Sequence, residues 1–341
     1  MSTIEAQRQT ASDATKSTSA LRRVLGPLAN QLAPFTIVIV MCIGLFILTP
    51  HFLTTSNIKG NLVQMSSLAI LAVGATMVIV AAGIDLSVSS IVALSGVVSA
   101  KAIVAFGVGI PLGLLIGIAV GGVVGLINGL LVSKLGLPAF ITTLGTLSVC
   151  AGAALLITNG QAVYGLPAGF GWLGTGEVLG IPVPVIVMVI VAIAGHMLLA
   201  HTTLGRAAYA IGGNARTARL SGINVGMVLV TLFVISGLLA GLAGVLEASR
   251  VVSGQPAAGA NYNLLAIAAA VIGGASLFGG EGKILGAIIG ATILQLISNG
   301  SNLLDISTFW QSVIVGVVVI LAVLYDQFRQ SRARKAGTHH P

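Results

Sequence analysis

Apolar residues along this 341-residue chain fall into long blocks separated by short polar breaks. The blocks run at 32–49, 66–82, 86–100, 113–132, 138–157, 182–199, 226–248, 264–278, 284–297 and 309–325. A helix needs about 20 mainly apolar residues to cross a bilayer. The pattern therefore predicts an all-α, polytopic integral membrane protein of about ten transmembrane helices. The breaks have distinct characters. Residues 50–64 carry Phe52 and Asn57 and are expected along the surface, 133–136 form a short turn, and 249–263 are polar. The stretch 159–181 is glycine-rich and holds Tyr164, Trp172 and Glu177, which suits a membrane–water interface. Residues 1–30 read as a disordered polar tail, 31–328 as the transmembrane domain and 329–341 as a second polar tail. No small-residue cleavage site follows the first apolar block, so that block is expected to stay as an anchor.

Composition leaves no soluble alternative. Charged residues make up 7% of the chain and hydrophobic ones 56%, where soluble domains carry about a quarter charged residues. Mean hydropathy is +1.07. The 45 glycines permit close helix packing. Net charge is +8, but the basic residues are scattered over membrane flanks, which argues against a nucleic-acid partner. Ten spans place both termini on one side. Thirteen of the sixteen basic residues then share that side: Arg8, Lys16, Arg22, Arg23, Lys134, Arg206, Arg216, Arg219, Lys283, Arg329, Arg332, Arg334 and Lys335. Only Lys59, Lys101 and Arg250 fall opposite. Basic loops resist translocation, so the richer side is expected to be cytoplasmic. Cys42 and Cys150 lie inside apolar blocks and read as small buried hydrophobes.

The longest charged break runs from 201 to 224 and holds Arg206, Arg216 and Arg219 without an acid. Gly212-Gly213-Asn214 is a turn or N-cap signal, and 215–220 can form a short helix behind it. Such a helix beneath a membrane is a docking surface, although a solvated connector explains the same residues. The run H-T-x-x-G-R-x-x-Y-A-x-G-G-N-x-x-x-A-R-L-S-G-I, which includes Gly205, Ser221 and Gly222, resembles the coupling loop of sugar permeases of the ATP-binding-cassette importer class. Gly83-Ile84-Asp85-Leu86-Ser87, the segment Gly244 to Arg250, Gln255-Pro256 with Gly259, and the glycine-rich 273–282 resemble further segments of the ribose-type branch, in the same order. Together they cover about residues 35–328.

The resemblance implies an importer permease fold and one half of a dimeric pore, most simply a homodimer. It implies a separate cytoplasmic ATPase that uses the ATP, and a periplasmic or lipid-anchored sugar-binding protein. It places the chain in a bacterial inner membrane with alternating access as the mechanism. The permease itself is expected to be non-enzymatic and to bind no cofactor or metal. In one place the chain departs from the pattern: relatives commonly read Tyr-Glu-Leu-Asp-Ala-Ile-Ala where this sequence has Tyr262, Asn263, Leu264, Leu265, Ala266, Ile267 and Ala268. For that reason ribose specificity is not carried over.

Asp85 is the lone acid between Asp13 and Glu177 and sits between two apolar blocks. An ionisable group there suggests function, as a polar lining of the translocation path with Ser87, Asn128 and Asn299. A helix cap explains Asp85 as well, and helix–helix hydrogen bonding explains the asparagines. Glu247 and Arg250 stand three apart, which permits an ion pair on one helix face. With Gln255 they are also candidates for contact with a binding protein. Gly279-Gly280-Glu281-Gly282-Lys283 invites a phosphate-loop reading but lacks the required first glycine and the following Ser or Thr. It reads as a tight turn. An ion-gradient-driven carrier of a small polar solute is the competing function, and it would want several intramembrane acids. An intramembrane enzyme would need a clustered catalytic set, which the sequence does not display.

Overall fold

The computed structural model describes residues 35–337. The tail expected at 1–30, with Arg8, Lys16, Arg22 and Arg23, lies outside them. Among the described residues, eight helices are long and apolar enough to cross a membrane. They are α2 (Thr55–Val80), α3 (Val88–Phe106), α4 (Ile110–Lys134), α5 (Ala139–Thr158), α7 (Val183–His201), α9 (Val225–Val251), α11 (Ile284–Leu303) and α12 (Thr308–Gly337). Two shorter apolar helices, α1 (Phe35–Leu48) and α10 (Tyr262–Ile272), account for the remaining blocks. A 3-10 turn (Ala168–Gly171), a single-turn helix α6 (Trp172–Thr175), the two-residue strands β1 (Glu177–Val178) and β2 (Ile181–Pro182), and the polar helix α8 (Thr203–Leu220) complete the elements of the described residues.

Glycine makes the central seam. Gly117, Gly121, Gly125 and Gly129 repeat every fourth residue on α4 and therefore share one face. They meet α9 in antiparallel order, Gly117 at Val245, Gly121 at Gly237 and Gly241, Gly125 at Phe233, and Gly129 at Val230. A Cβ at Gly121 would collide with the Gly237 carbonyl, and one at Gly125 with the Phe233 carbonyl. This spacing of small residues lets helix backbones touch in a solvent that offers no hydrophobic drive for association. α2 lies innermost, buried from Met65 to Val80, and α3 runs beside α9 with Gly96 against the Gly244 carbonyl.

The antiparallel packing gives the bundle two ends. Lys134, Arg206, Arg216, Arg219 and Lys283 lie at the end that carries α8, because α8 joins the close of α7 to the start of α9. Lys59, Lys101 and Arg250 lie at the other. Lys59 pairs there with Glu177 at 2.8 Å, and Gly174 packs on the backbone of Arg250.

Four local expectations change. The expected break at 50–64 is helical from Thr55, where Thr54 caps α2 by accepting from the Asn57 N–H. The block 264–278 yields only the 11-residue α10. At 1.5 Å per residue that is about 16 Å, roughly half a hydrocarbon core. It stops because Gly273 seats on the backbone of Gly286 and Gly274 takes φ +92. Residues 203–213, expected as loop, are helical. Residues 329–337, expected as a tail, continue the α12 backbone.

Candidate functional site

Three side-chain caps shape the 201–224 segment. Thr202 accepts from the Gly205 N–H at 3.2 Å and starts α8. Asn214 breaks it, with φ −163 and ψ 102, and accepts from the Thr217 N–H at 3.0 Å. The short helix expected at 215–220 therefore begins at its expected cap. Asn224 accepts from the Met227 N–H at 3.0 Å and starts α9. Gly222, at φ +85, turns the chain between α8 and α9. Gly205 lies under the Leu198 and Leu199 carbonyls, where a Cβ would collide with both.

One face of α8 grips the bundle and the other is bare. Ala208 and Ile211 are buried. Gly212 sits so close to the Val80 carbonyl oxygen and the Gly280 nitrogen that a Cβ would strike both. The Gly280 N–H donates to that Val80 carbonyl at 2.9 Å. Tyr209 donates from its hydroxyl to the Gly282 carbonyl at 2.6 Å. Burial raises the Tyr209 phenol above its ordinary range, which keeps it a donor. The 279–283 turn is tight as expected, with Gly279, Gly280 and Gly282 all at positive φ. α8 is thus wedged against the close of α2 and against the turn between α10 and α11. Gly213 has open space around it and no positive φ, so the close contact belongs to its neighbour Gly212. On the bare face Arg206, Arg216 and Arg219 are exposed, and Leu220 is 82% exposed. Among the described residues none of these arginines makes an ion pair. Ser221 closes α8 and donates to the Thr217 carbonyl at 3.1 Å.

Asp85, Ser87 and Asn128 come together just inside the α8 end. All three are buried. Asp85 Oδ1 accepts from the Ser87 N–H at 3.0 Å and its hydroxyl at 2.6 Å. Asp85 Oδ2 accepts from Ser236 at 2.9 Å. Asn128 donates to Ser87 Oγ at 2.9 Å and accepts from Thr146 at 2.6 Å. Four elements are tied: the 81–87 link, α4, α5 and α9. This link is irregular, buried backbone, and such backbone is tolerated at membrane depth where protein surrounds it. Asn299 is elsewhere, exchanging hydrogen bonds with Asn57 at 2.7 and 3.2 Å and joining α11 to α2. Ser236 and Thr146 carry no signal in the sequence, because isolated hydroxyls in apolar helices do not show what they meet.

At the other end Arg250 and Glu247 form the expected i,i+3 pair, Nη2 to Oε2 at 2.6 Å and Nε to Oε2 at 3.2 Å. Tyr262, at the start of α10, donates to Glu247 Oε1 at 3.1 Å. Gln255 donates to Ser253 at 3.1 Å. These side chains border a cavity of about 350 Å³ between α3, α9 and the 253–262 segment. A second cavity of about 170 Å³ adjoins it and shares Arg250 and Tyr262 as walls.

Residues 57–323 match the family described as the permease component of branched-chain amino acid transport systems. Among curated proteins the chain is similar to the ribose import permease protein of Escherichia coli (strain K12), at 44% identity over 83% of this chain and 89% of that one. It is 45% identical to the ribose import permease protein of Bacillus subtilis (strain 168), over 87% of this chain and 93% of the relative. It is 43% identical to the D-allose transport system permease protein of Escherichia coli (strain K12), over 86% and 90% respectively. No solved structure matches the chain.

Proposed function

The chain belongs to this family of transport-system permease components, and from that premise we propose that it is the membrane subunit of an ATP-driven importer of a monosaccharide. In this reading the permease supplies the path, and a separate cytoplasmic ATPase supplies the energy. A sugar-binding protein delivers the cargo, and a second copy of the chain completes the pore. The ribose and D-allose names of the relatives support a sugar cargo.

The observation that carries the coupling role is the placement of α8. Its exposed positions offer Leu220 and three arginines without an ion pair among the described residues, a surface that fits an acidic cleft with an apolar floor. Its buried face holds two inter-helix turns at once, through Gly212 and Tyr209. A push on α8 therefore reaches both the Val80–Ser87 link and the α10–α11 turn, which is what alternating access requires of a coupling element. The chain itself binds no nucleotide in this reading. The Gly280 N–H, which a phosphate loop would aim at phosphate, is engaged by the Val80 carbonyl.

We assign the α8 end to the cytoplasm. Five described basic residues support this, Lys134, Arg206, Arg216, Arg219 and Lys283, against Lys59, Lys101 and Arg250 at the opposite end. In a Cys42→Ala, Cys150→Ala background, Ala215→Cys should resist an impermeant maleimide in intact cells and react in opened ones. Labelling from outside would invert the orientation. Uptake of a monosaccharide in proteoliposomes should require the ATPase, the binding protein and ATP, and should survive collapse of ion gradients. Uptake that follows a proton or sodium gradient instead would replace this reading with a secondary carrier.

A further inference from the structure

The cavity beside Arg250 has no role in the coupling machinery, yet it is walled by the strongest polar cluster at its end of the bundle. Glu247 is 6% exposed and 27-residue α9 carries it to the cavity wall. A carboxylate at that depth is costly unless paired, and here it takes two donors from Arg250 and one from Tyr262. The pair is electrically balanced, so the cavity is polar without net charge. Arg250 Nη1 makes no hydrogen bond among the described residues, and a guanidinium has five donors to offer. Ser253, Gln255 and the Tyr262 hydroxyl add groups that both donate and accept. Small residues, Gly96, Gly244, Ala248, Ala257, Ala258 and Gly259, line much of the rest.

A volume of about 350 Å³ falls at the small end of the range for ligand pockets, about 300–1,000 Å³. A neutral polyol has hydroxyls that donate and accept in equal measure, which matches this mixed wall. An anion or cation would leave one half of the Glu247–Arg250 pair repelling it. The cavity lies at the end opposite α8, where cargo arrives if α8 faces the cytoplasm.

We propose that this cavity is a receiving subsite for a neutral sugar, held by the Glu247–Arg250 pair, Gln255 and Tyr262. The proposal rests on the reading of the chain as a sugar permease. Glu247 is too buried to meet another protein, so the cluster is better suited to a small solute than to a docking face.

The test separates the two ideas. Uptake of D-ribose, D-allose, L-arabinose, D-xylose and D-galactose by the complete reconstituted transporter identifies the carried sugar, and carriage of none of them overturns the sugar reading itself. Gln255→Cys is then placed in the Cys42→Ala, Cys150→Ala background and put into lipid nanodiscs without partners. The carried sugar should slow maleimide labelling several-fold, and ribose 5-phosphate at equal concentration should not. Tyr262→Phe, which removes the hydroxyl that donates to Glu247 Oε1, should reduce the protection and lower the melting temperature while the protein still unfolds cooperatively. Labelling indifferent to the carried sugar overturns the subsite. So does slowing by the binding protein alone, with or without sugar, which would make Gln255 a docking contact.

Discussion

The two ends of the bundle are built from opposite materials. At the α8 end the tightest contact is backbone on backbone, Gly212 on Val80 and Gly280, with the Tyr209 hydroxyl bonded to the Gly282 carbonyl beside it. At the Arg250 end, charged and polar side chains stand around two cavities. The difference follows from what each end must do. Force passes best through contacts that resist compression, and close-packed interiors transmit strain. A solute needs room and hydrogen-bonding partners that water supplied before. The α8 end should therefore be intolerant of added volume, and the Arg250 end intolerant of altered polarity.

The sharpest way to break this contrast is Gly212→Val. Its side chain has no space, and overpacking costs about 1–3 kcal/mol or more. We expect uptake to be abolished and the purified permease to melt at lower temperature. Wild-type uptake would mean that α8 transmits nothing through this contact. Gly213→Val, one residue on, meets open space within the chain. Its melting should be unchanged, and any loss of uptake must then come from the partner, read as weaker ATPase recovery in a pull-down.

Arg250→Leu attacks the other end. It strands a carboxylate whose side chain is 8% exposed, while Arg250 itself is 34% exposed. The cost should fall below the about 3–5 kcal/mol of a fully buried broken pair. Thermal unfolding measures it, and an unchanged midpoint would show that Tyr262 alone satisfies Glu247.

Asp85→Asn keeps one acceptor for Ser87 and replaces the other with a donor that Ser236 can meet by turning its hydroxyl. A loss of about 1 kcal/mol, one hydrogen bond's worth, is expected, with uptake close to normal. A deep loss of uptake without loss of stability would move Asp85 from the framework into the translocation path.

The smallest effects return to α8. Asn214→Ala removes a cap worth about 0.5–2 kcal/mol, and the helix behind it has under two turns, marginal alone. Insertion and melting should hold while the ATPase response to loaded binding protein weakens. An unchanged response would make the 215–220 helix a passive connector.

Much of the architecture was legible because hydrocarbon is the simplest code a chain can carry. Every apolar block became a helix, and the caps at Asn214 and the Glu247–Arg250 pair were readable because each involves residues three apart on one turn. The early stop of α10 was hidden, since 275–278 stays largely apolar after the helix has ended. What ends it is the contact of Gly273 with Gly286 on a different helix. The helical run at 203–213 was hidden for the converse reason: its polarity reads as loop, and only its buried Ala208 and Ile211 justify the coil.

By itself the sequence determined the apolar helices and the likeness to sugar permeases, because hydropathy and motif order are properties of neighbours along the chain. Only the tertiary structure decided that Gly212 rather than Gly213 bears the close contact. It alone joined Asp85 to Ser236 and Asn128 while sending Asn299 to Asn57, and it alone opened a cavity beside Arg250. Each of these depends on which backbones approach across the bundle. That approach is set by glycines on separate helices, whose partners no local pattern names.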